Sequence, residues 1–147
     1  SRRFGFRDGV MGGNLWFFGA DEDTALDAAE RAAEAAEKTP DSVTTFPGGV
    51  AGSGSKAGSS YDFLIAATYA EYCPTLKEKL GDKSKVPDGV NSIMEIIING
   101  RDLSALQNAT RNAIHAAAET PGLIKISAGN YGGRLGKTFV HLHELLD

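Results

Sequence analysis

Two stretches of this chain follow the same plan. "NLWFF" at residues 14–18 and "IMEIII" at 93–98 are short apolar runs of the kind that form strands. Each ends at a glycine, Gly19 or Gly100. Apolar positions at helical spacing follow: Leu26, Ala29, Ala33 and Ala36 in the first, Leu103, Leu106, Ala113 and Ala117 in the second. Asp21 or Asp23, and Asp102 or Ser104, are N-cap candidates, because their side chains can accept from an orphan amide of the first turn. Thr39-Pro40 and Thr120-Pro121 stop both helices, since proline disfavours helical geometry in the residue before it. A second strand follows each helix, at 43–46 and 123–127. A shift of eighty-one positions carries Gly19 onto Gly100, Asp21 onto Asp102, Pro40 onto Pro121, Ala32 onto Ala113 and Ala36 onto Ala117.

The chain therefore reads as β-α-β twice. The expected fold class is α+β: a ferredoxin-like βαββαβ sandwich, with one antiparallel four-stranded sheet and both helices on one face. Two parallel βαβ units are the alternative, but two helices are too few to cover both faces of a parallel sheet. A long insert, at about 50–91, separates the second and third strands. An extra segment follows the last strand, and the whole of 1–147 reads as one unit.

Alternation along a strand sets the faces. Ile93, Glu95 and Ile97 point one way; Met94, Ile96 and Ile98 point the other. Leu15 and Phe17 are likewise opposed to Trp16 and Phe18. The helices cover one face, so another domain, another subunit or the insert must cover the second. A bare apolar face of this size is sticky, which points to an oligomer or a missing partner domain. Glu95 sits within this hydrocarbon, and an unpaired buried carboxylate costs several kcal/mol. Two outcomes stay open. Either Glu95 is salt-bridged to Lys or Arg, or its carboxyl is readily protonated and suits general acid–base work.

Within the insert, "YDFLIAATYAEYC" reads as packed and "PTLKEKLGDKSK" as a solvated helical turn and loop. Its opening, "FPGGVAGSGSKAGSS", lets backbone amides approach a ligand closely, with Ser53, Ser55 and Lys56 as candidate contacts for an anion. It departs from a P-loop, because serine precedes Lys56 and Ala57 replaces the magnesium-holding hydroxyl. Ser53 and Lys56 also form S-x-x-K, but the flanking glycines oppose the helix that serine acylation on that motif requires. A second glycine-rich loop, "SAGNYGGRLGK", offers Asn130, Tyr131 and Arg134 for planar or anionic groups. The ending "TFVHLHELL" reads as an added strand. Its His141 and His143 have no third ligand near in sequence, so no metal is expected. Cys73 lacks a local base and reads as a packed thiol.

Bulk properties narrow the class. The 147 residues carry a net charge of -4, against a nucleic-acid-binding role. No apolar run is of membrane-spanning length. A single cysteine excludes an internal disulfide framework and fits a reducing cytoplasm. A start at "SRRFGF", without methionine, reads as a piece of something longer.

The motifs "TTFPGGVAGSGSKAG", "EYCPTLK", "VNSIMEIIING", "LIKISAGNYGGRLGK" and "LHELL" resemble the C-terminal half of formylmethanofuran–tetrahydromethanopterin formyltransferases. The likeness covers nearly all of the chain. It implies a lobe of a two-lobe enzyme, with the N-terminal lobe of the same subunit as partner and a homo-oligomer, a tetramer, as the assembly. It implies transfer of a formyl group between the amine of methanofuran and a ring nitrogen of tetrahydromethanopterin. In methanogens that step serves carbon dioxide reduction, and in methylotrophic bacteria formaldehyde oxidation. Both carriers are substrates, and no tightly bound cofactor or metal is implied. The family's proposed catalytic glutamate matches Glu95. Methanofuran carries several carboxylates, for which Lys56 and Arg134 are candidate anchors. The resemblance also implies that this half alone is inactive. The alternative is a non-catalytic assembly lobe with Glu95 in a structural ion pair.

Overall fold

The computed structural model describes residues 2–52, 54–129, 131 and 134–147. In chain order the elements are β1 (Val10–Gly19), α1 (Glu22–Lys38), β2 (Ser42–Thr44), β3 (Val50–Ala51), β4 (Ser55–Ala57), β5 (Ala66–Thr68), α2 (Lys77–Leu80), β6 (Ser92–Gly100), α3 (Leu103–Ala118), β7 (Leu123–Ser127) and α4 (Leu142–Leu146). The main sheet runs β2-β6-β1-β7, with β3 also on β6, and every pairing in it is antiparallel. The parallel alternative is thereby set aside. The fold class is α+β, as the two β-α-β units predict.

The repeat has a physical basis at each landmark. Asp21 accepts from the Thr24 amide at 2.8 Å, and Asp102 from the Ala105 amide at 2.9 Å. These are the N-caps, in place of the alternatives Asp23 and Ser104. Gly19 and Gly100 stand where the strand passes under the first helical turn. A Cβ on Gly19 would lie 2.5 Å from the Ala25 nitrogen, and one on Gly100 would lie 2.6 Å from that of Leu106. At the far ends, the amides of Thr39 and Thr120 donate to Ala36 and Ala117, each at 3.0 Å.

Both helices lie on the Leu15–Phe17 face. The main core joins Leu15, Phe17, Ile96 and Ile98 to the alanines of α1 and to Leu106, Ala109 and Ala113 of α3. Small residues on α1 let it approach sheet and partner helix closely. The opposite face holds Trp16 and Phe18, buried with Val86 and Val90 and flanked by Tyr69, Tyr72 and Ile93. The insert thus supplies cover for this face. Trp16 meets Tyr72 edge-on at 5.2 Å between centroids and Tyr69 at 5.9 Å, a favourable arrangement of ring quadrupoles.

Several boundaries differ from the sequence reading. β1 begins at Val10 rather than near residue 14, because Gly12 adopts a φ of 81° and the register slips between Val10 and Gly13. The glycines that hide this stretch from a pattern search are what permit its bulge. The strand expected at 43–46 is shorter, since the Pro47–Gly49 turn interrupts the edge before β3 resumes pairing with β6. The last segment is a short helix rather than a strand. Leu145 is buried there, and the Leu145 carbonyl accepts from Arg111 Nε at 2.6 Å. In "YDFLIAATYAEYC" only the second half packs. Tyr61, Phe63 and Ile65 are exposed on the β4–β5 hairpin, while Tyr69 and Tyr72 reach the core. Among the described residues no helix is long and apolar enough to cross a membrane.

The close passage at Gly100 makes a direct prediction. Gly100→Ala should lower the unfolding free energy by about 1–3 kcal/mol, because the added methyl meets backbone rather than a flexible side chain. Gly5→Ala, with nothing within 4 Å of its new Cβ, should stay within about 0.5 kcal/mol of the parent. Urea denaturation of both variants checks the difference.

Candidate functional site

The site is built where β1 and β6 face each other. Trp16 is registered opposite Glu95, and Asn14 opposite Ile97. All four project to the face that the insert covers. Glu95 is only 1% exposed, so its oxygens depend on protein donors. Asn14 Nδ2 donates to Oε1 at 2.8 Å, and the Trp16 indole Nε1 to the same oxygen at 3.1 Å. Ser55 serves Oε2 twice, through its backbone amide at 3.2 Å and its hydroxyl at 2.9 Å.

All of these partners are neutral, and none of the described ion pairs includes Glu95. The salt bridge considered for Glu95 is therefore replaced by a shell of neutral donors. The physical reason lies in what surrounds it. Lys56, on the adjacent short strand β4, sets its ammonium over the Tyr69 ring, 5.5 Å from the centroid. Lys125 lies over Phe18 at 5.5 Å. Both cations are engaged with ring faces instead.

Asn14 links the carboxylate to the second glycine-rich loop. Its Nδ2 also donates to the Tyr131 hydroxyl at 2.7 Å, and its Oδ1 accepts from the Gly129 amide at 3.1 Å. The backbone contact fixes which way the amide points. Gly129 leaves room for this approach, as a Cβ there would lie 2.7 Å from the Tyr131 hydroxyl and 2.9 Å from Asn14 Nδ2 and displace one of these side chains. Burial pushes the Tyr131 phenol up to about 12, and the neighbouring Glu95 carboxylate adds to the rise. The Ser55 side chain opposes it in part.

A cavity of about 990 Å³ opens beside this cluster. Asn14, Ser55, Gly129 and Tyr131 line it; Glu95 lies behind them. Leu106 and Phe139 contribute apolar wall, and Lys125 and Lys137 add positive charge.

Of the residues singled out from sequence, Glu95, Ser55 and Tyr131 come together. Lys56 sits on the same strand as Ser55, but its ammonium faces Tyr69. Arg134 is exposed, and its backbone amide donates to the Tyr131 carbonyl at 3.0 Å, which ties the loop locally. Ser53 and Asn130 lie outside the described residues. His141 and His143 are exposed, and among the described residues no group of three or more His, Cys, Asp or Glu could hold a metal. Cys73 is half-buried, with Sγ 3.2 Å from the Thr75 hydroxyl.

Asn14 and Trp16 escaped the sequence reading. Trp16 read only as apolar bulk, and Asn14 as a strand start. A signal was nevertheless present, because the eighty-one-residue shift that aligns the two halves carries Asn14 onto Glu95. The site is thus made of one position used twice.

Comparisons with known proteins give the family. The family described as "FTR, proximal lobe" matches residues 1–145. The formylmethanofuran–tetrahydromethanopterin formyltransferase of Methanothermus fervidus is 48% identical over 144 residues, covering 97% of this chain and 48% of its own length. The solved formylmethanofuran:tetrahydromethanopterin formyltransferase of Methanosarcina barkeri superposes with a TM-score of 0.87 at 45% identity, over 94% of this chain and 46% of that one. The formyltransferase/hydrolase complex of Methylorubrum extorquens, solved with methylofuran, gives a TM-score of 0.85 at 42% identity, over 95% of this chain and 46% of that one. The chain spans about half the length of the curated relatives it matches. With the family match over residues 1–145, this degree of identity and this superposition, the chain belongs to the family of FTR proximal lobes.

Proposed function

We propose that this chain is the lobe that carries the proton-transfer group of a formyltransferase moving a formyl unit between methanofuran and tetrahydromethanopterin. The observation that carries the reading is Glu95: a carboxyl 1% exposed, held by neutral donors, immediately behind a large cavity. The relatives' names supply the reaction class, since proteins 41–48% identical to this chain are named for that transfer. The strand order β2-β6-β1-β7, with both helices on one face, supports a ferredoxin-like sandwich interrupted by the insert. The partner we assign is an N-terminal lobe of the same protein, within a cytoplasmic homo-oligomer, the tetramer that the family resemblance implies. Completion of the site by that lobe makes this half inactive alone.

The chemistry this reading requires is acyl transfer between two nitrogens. The ring amine of the pterin attacks the formyl carbon, and a tetrahedral intermediate forms. The attacking nitrogen must lose a proton and the departing nitrogen must gain one. A single carboxyl that accepts and then returns that proton serves both steps. The low-dielectric setting of Trp16, Tyr69 and Tyr72 keeps bulk water from competing for it. Tyr131, neutral at physiological pH as any phenol is, presents a hydroxyl at the cavity wall. The amides of the two glycine-rich loops are the donors for the oxyanion. Lys56 and Arg134 anchor the carboxylates of methanofuran, and the loop residues Ser53, Ser55 and Asn130 contact substrate beside Tyr131.

Two expected outcomes test this. Glu95→Gln in the full-length protein preserves side-chain shape while removing the exchangeable proton. It should lower the formyl-transfer rate by about 10²–10⁴-fold. A rate within a few-fold of the parent removes Glu95 from proton transfer.

The second outcome concerns Tyr131. In a near-ultraviolet absorbance titration, one phenol should ionise near pH 12 in the parent and be missing in Tyr131→Phe. The folded value is raised above the unfolded one near 10, so the stability Tyr131 contributes is fully present below pH 10. It is lost as pH rises towards 12. Tyr131→Phe should therefore flatten the loss of stability across that window, measured by denaturation at a series of pH values. Glu95→Gln should shift the Tyr131 titration downward, since it removes a nearby negative charge.

A further inference from the structure

Glu95 cannot reach the cavity directly. It is 1% exposed and does not line the cavity wall, whereas Asn14 and Ser55 do. A carboxyl that serves as acid and base must exchange its proton through one of the groups that touch it. The described groups are the Asn14 amide, the Trp16 indole, the Ser55 backbone amide and the Ser55 hydroxyl. The indole and the backbone N–H donate only, and the side-chain amide nitrogen of Asn14 likewise offers donors and no acceptor. A proton taken from any of these nitrogens could not be replaced from the cavity through the same atom. A hydroxyl oxygen both donates and accepts. Ser55 is alone among these contacts in having that property, and it lies 2.9 Å from Oε2 while lining the cavity.

We propose that the Ser55 hydroxyl is the proton relay between the buried Glu95 carboxyl and substrate in the cavity. The inference rests on the reading of Glu95 as the acid–base group. In the forward step the attacking nitrogen releases its proton to Ser55 Oγ, and the Ser55 O–H bond to the original proton breaks as that proton bonds to Glu95 Oε2. In the return step Glu95 Oε2 gives its proton back to Ser55 Oγ, and the other Ser55 proton passes to the departing nitrogen. Each cycle leaves serine and glutamate as they began, and no electron changes hands.

The arrangement separates relaying from holding. The Ser55 backbone amide donates to the same oxygen at 3.2 Å, and Asn14 and Trp16 hold the other. Removal of the hydroxyl therefore leaves three anchors on the carboxyl. Tyr131 also faces the cavity; its hydroxyl accepts from Asn14 Nδ2 and is hydrogen-bonded to the Ser55 side chain, but none of the described hydrogen bonds joins it directly to the carboxyl.

The test uses the full-length protein and four variants: Ser55→Ala, Ser55→Thr, Tyr131→Phe and Glu95→Gln. Ser55→Ala should lower kcat by about 10²-fold, a larger change than any in KM. Ser55→Thr restores the hydroxyl and should recover most of the rate. Solvent-deuterium proton inventories should be bowed in the parent, where two protons move together, and in Ser55→Thr. A parent-like rate in Ser55→Ala alongside an inactive Glu95→Gln overturns the relay and leaves Glu95 standing. The same holds if Ser55→Ala is slow and Ser55→Thr fails to recover, or if Tyr131→Phe alone abolishes the rate. A parent-like rate in Glu95→Gln instead removes the acid–base reading itself.

Discussion

The antiparallel pairing of β1 with β6 is the constraint on which the rest depends. Leu15 stands opposite Ile96 at its middle, and the shift between repeats makes those two the same position. Strand alternation then sends Asn14 and Trp16 to one face together with Glu95. A slip of one residue would turn Glu95 into the helix-side core and bring Ile96 to the site. The register is held firmly because both faces are filled: Leu15, Phe17, Ile96 and Ile98 under the helices, Trp16 and Phe18 under the insert. The hydrophobic core therefore fixes the position of a polar group to within hydrogen-bonding tolerance.

The insert has two roles in this arrangement. Tyr69 and Tyr72 close over Trp16, with the three rings in mutual edge contact. That packing orients the indole whose N–H meets Glu95. Earlier in the insert, β4 delivers Ser55 to the other carboxylate oxygen. Lys56, one residue on, extends over Tyr69. Because neighbouring residues on a strand point oppositely, the hydroxyl and the ammonium cannot both approach the same carboxyl. Strand geometry thus keeps Glu95 in a neutral shell.

Much of this was readable from sequence, and the exceptions have identifiable causes. The two β-α-β units, their caps and their proline stops were legible because each has a local cause. Glu95 was legible as a charge in an apolar run. Tyr131 and Ser55 stood out because glycines flank them. The start of β1 was obscured because a bulge at Gly12 breaks the alternation that identifies strands. The helix α4 was misread because "TFVHLHELL" supports both periods, and contact with Arg111 and α3 decides between them. Asn14 and Trp16 were missed as partners because cross-strand register is a tertiary property. No spacing within either run reveals what stands across from it.

The hydrogen bond from Asn14 to Glu95 joins a residue to its own counterpart in the other half of the repeat. An ancestor with two identical halves would have placed the same side chain at both positions. Two carboxylates in contact would repel and share a single proton, while two amides would leave no acid at all. A carboxyl held by a neutral donor therefore requires that the symmetry be broken at this pair, even as the surrounding glycines, caps and proline stops preserve it.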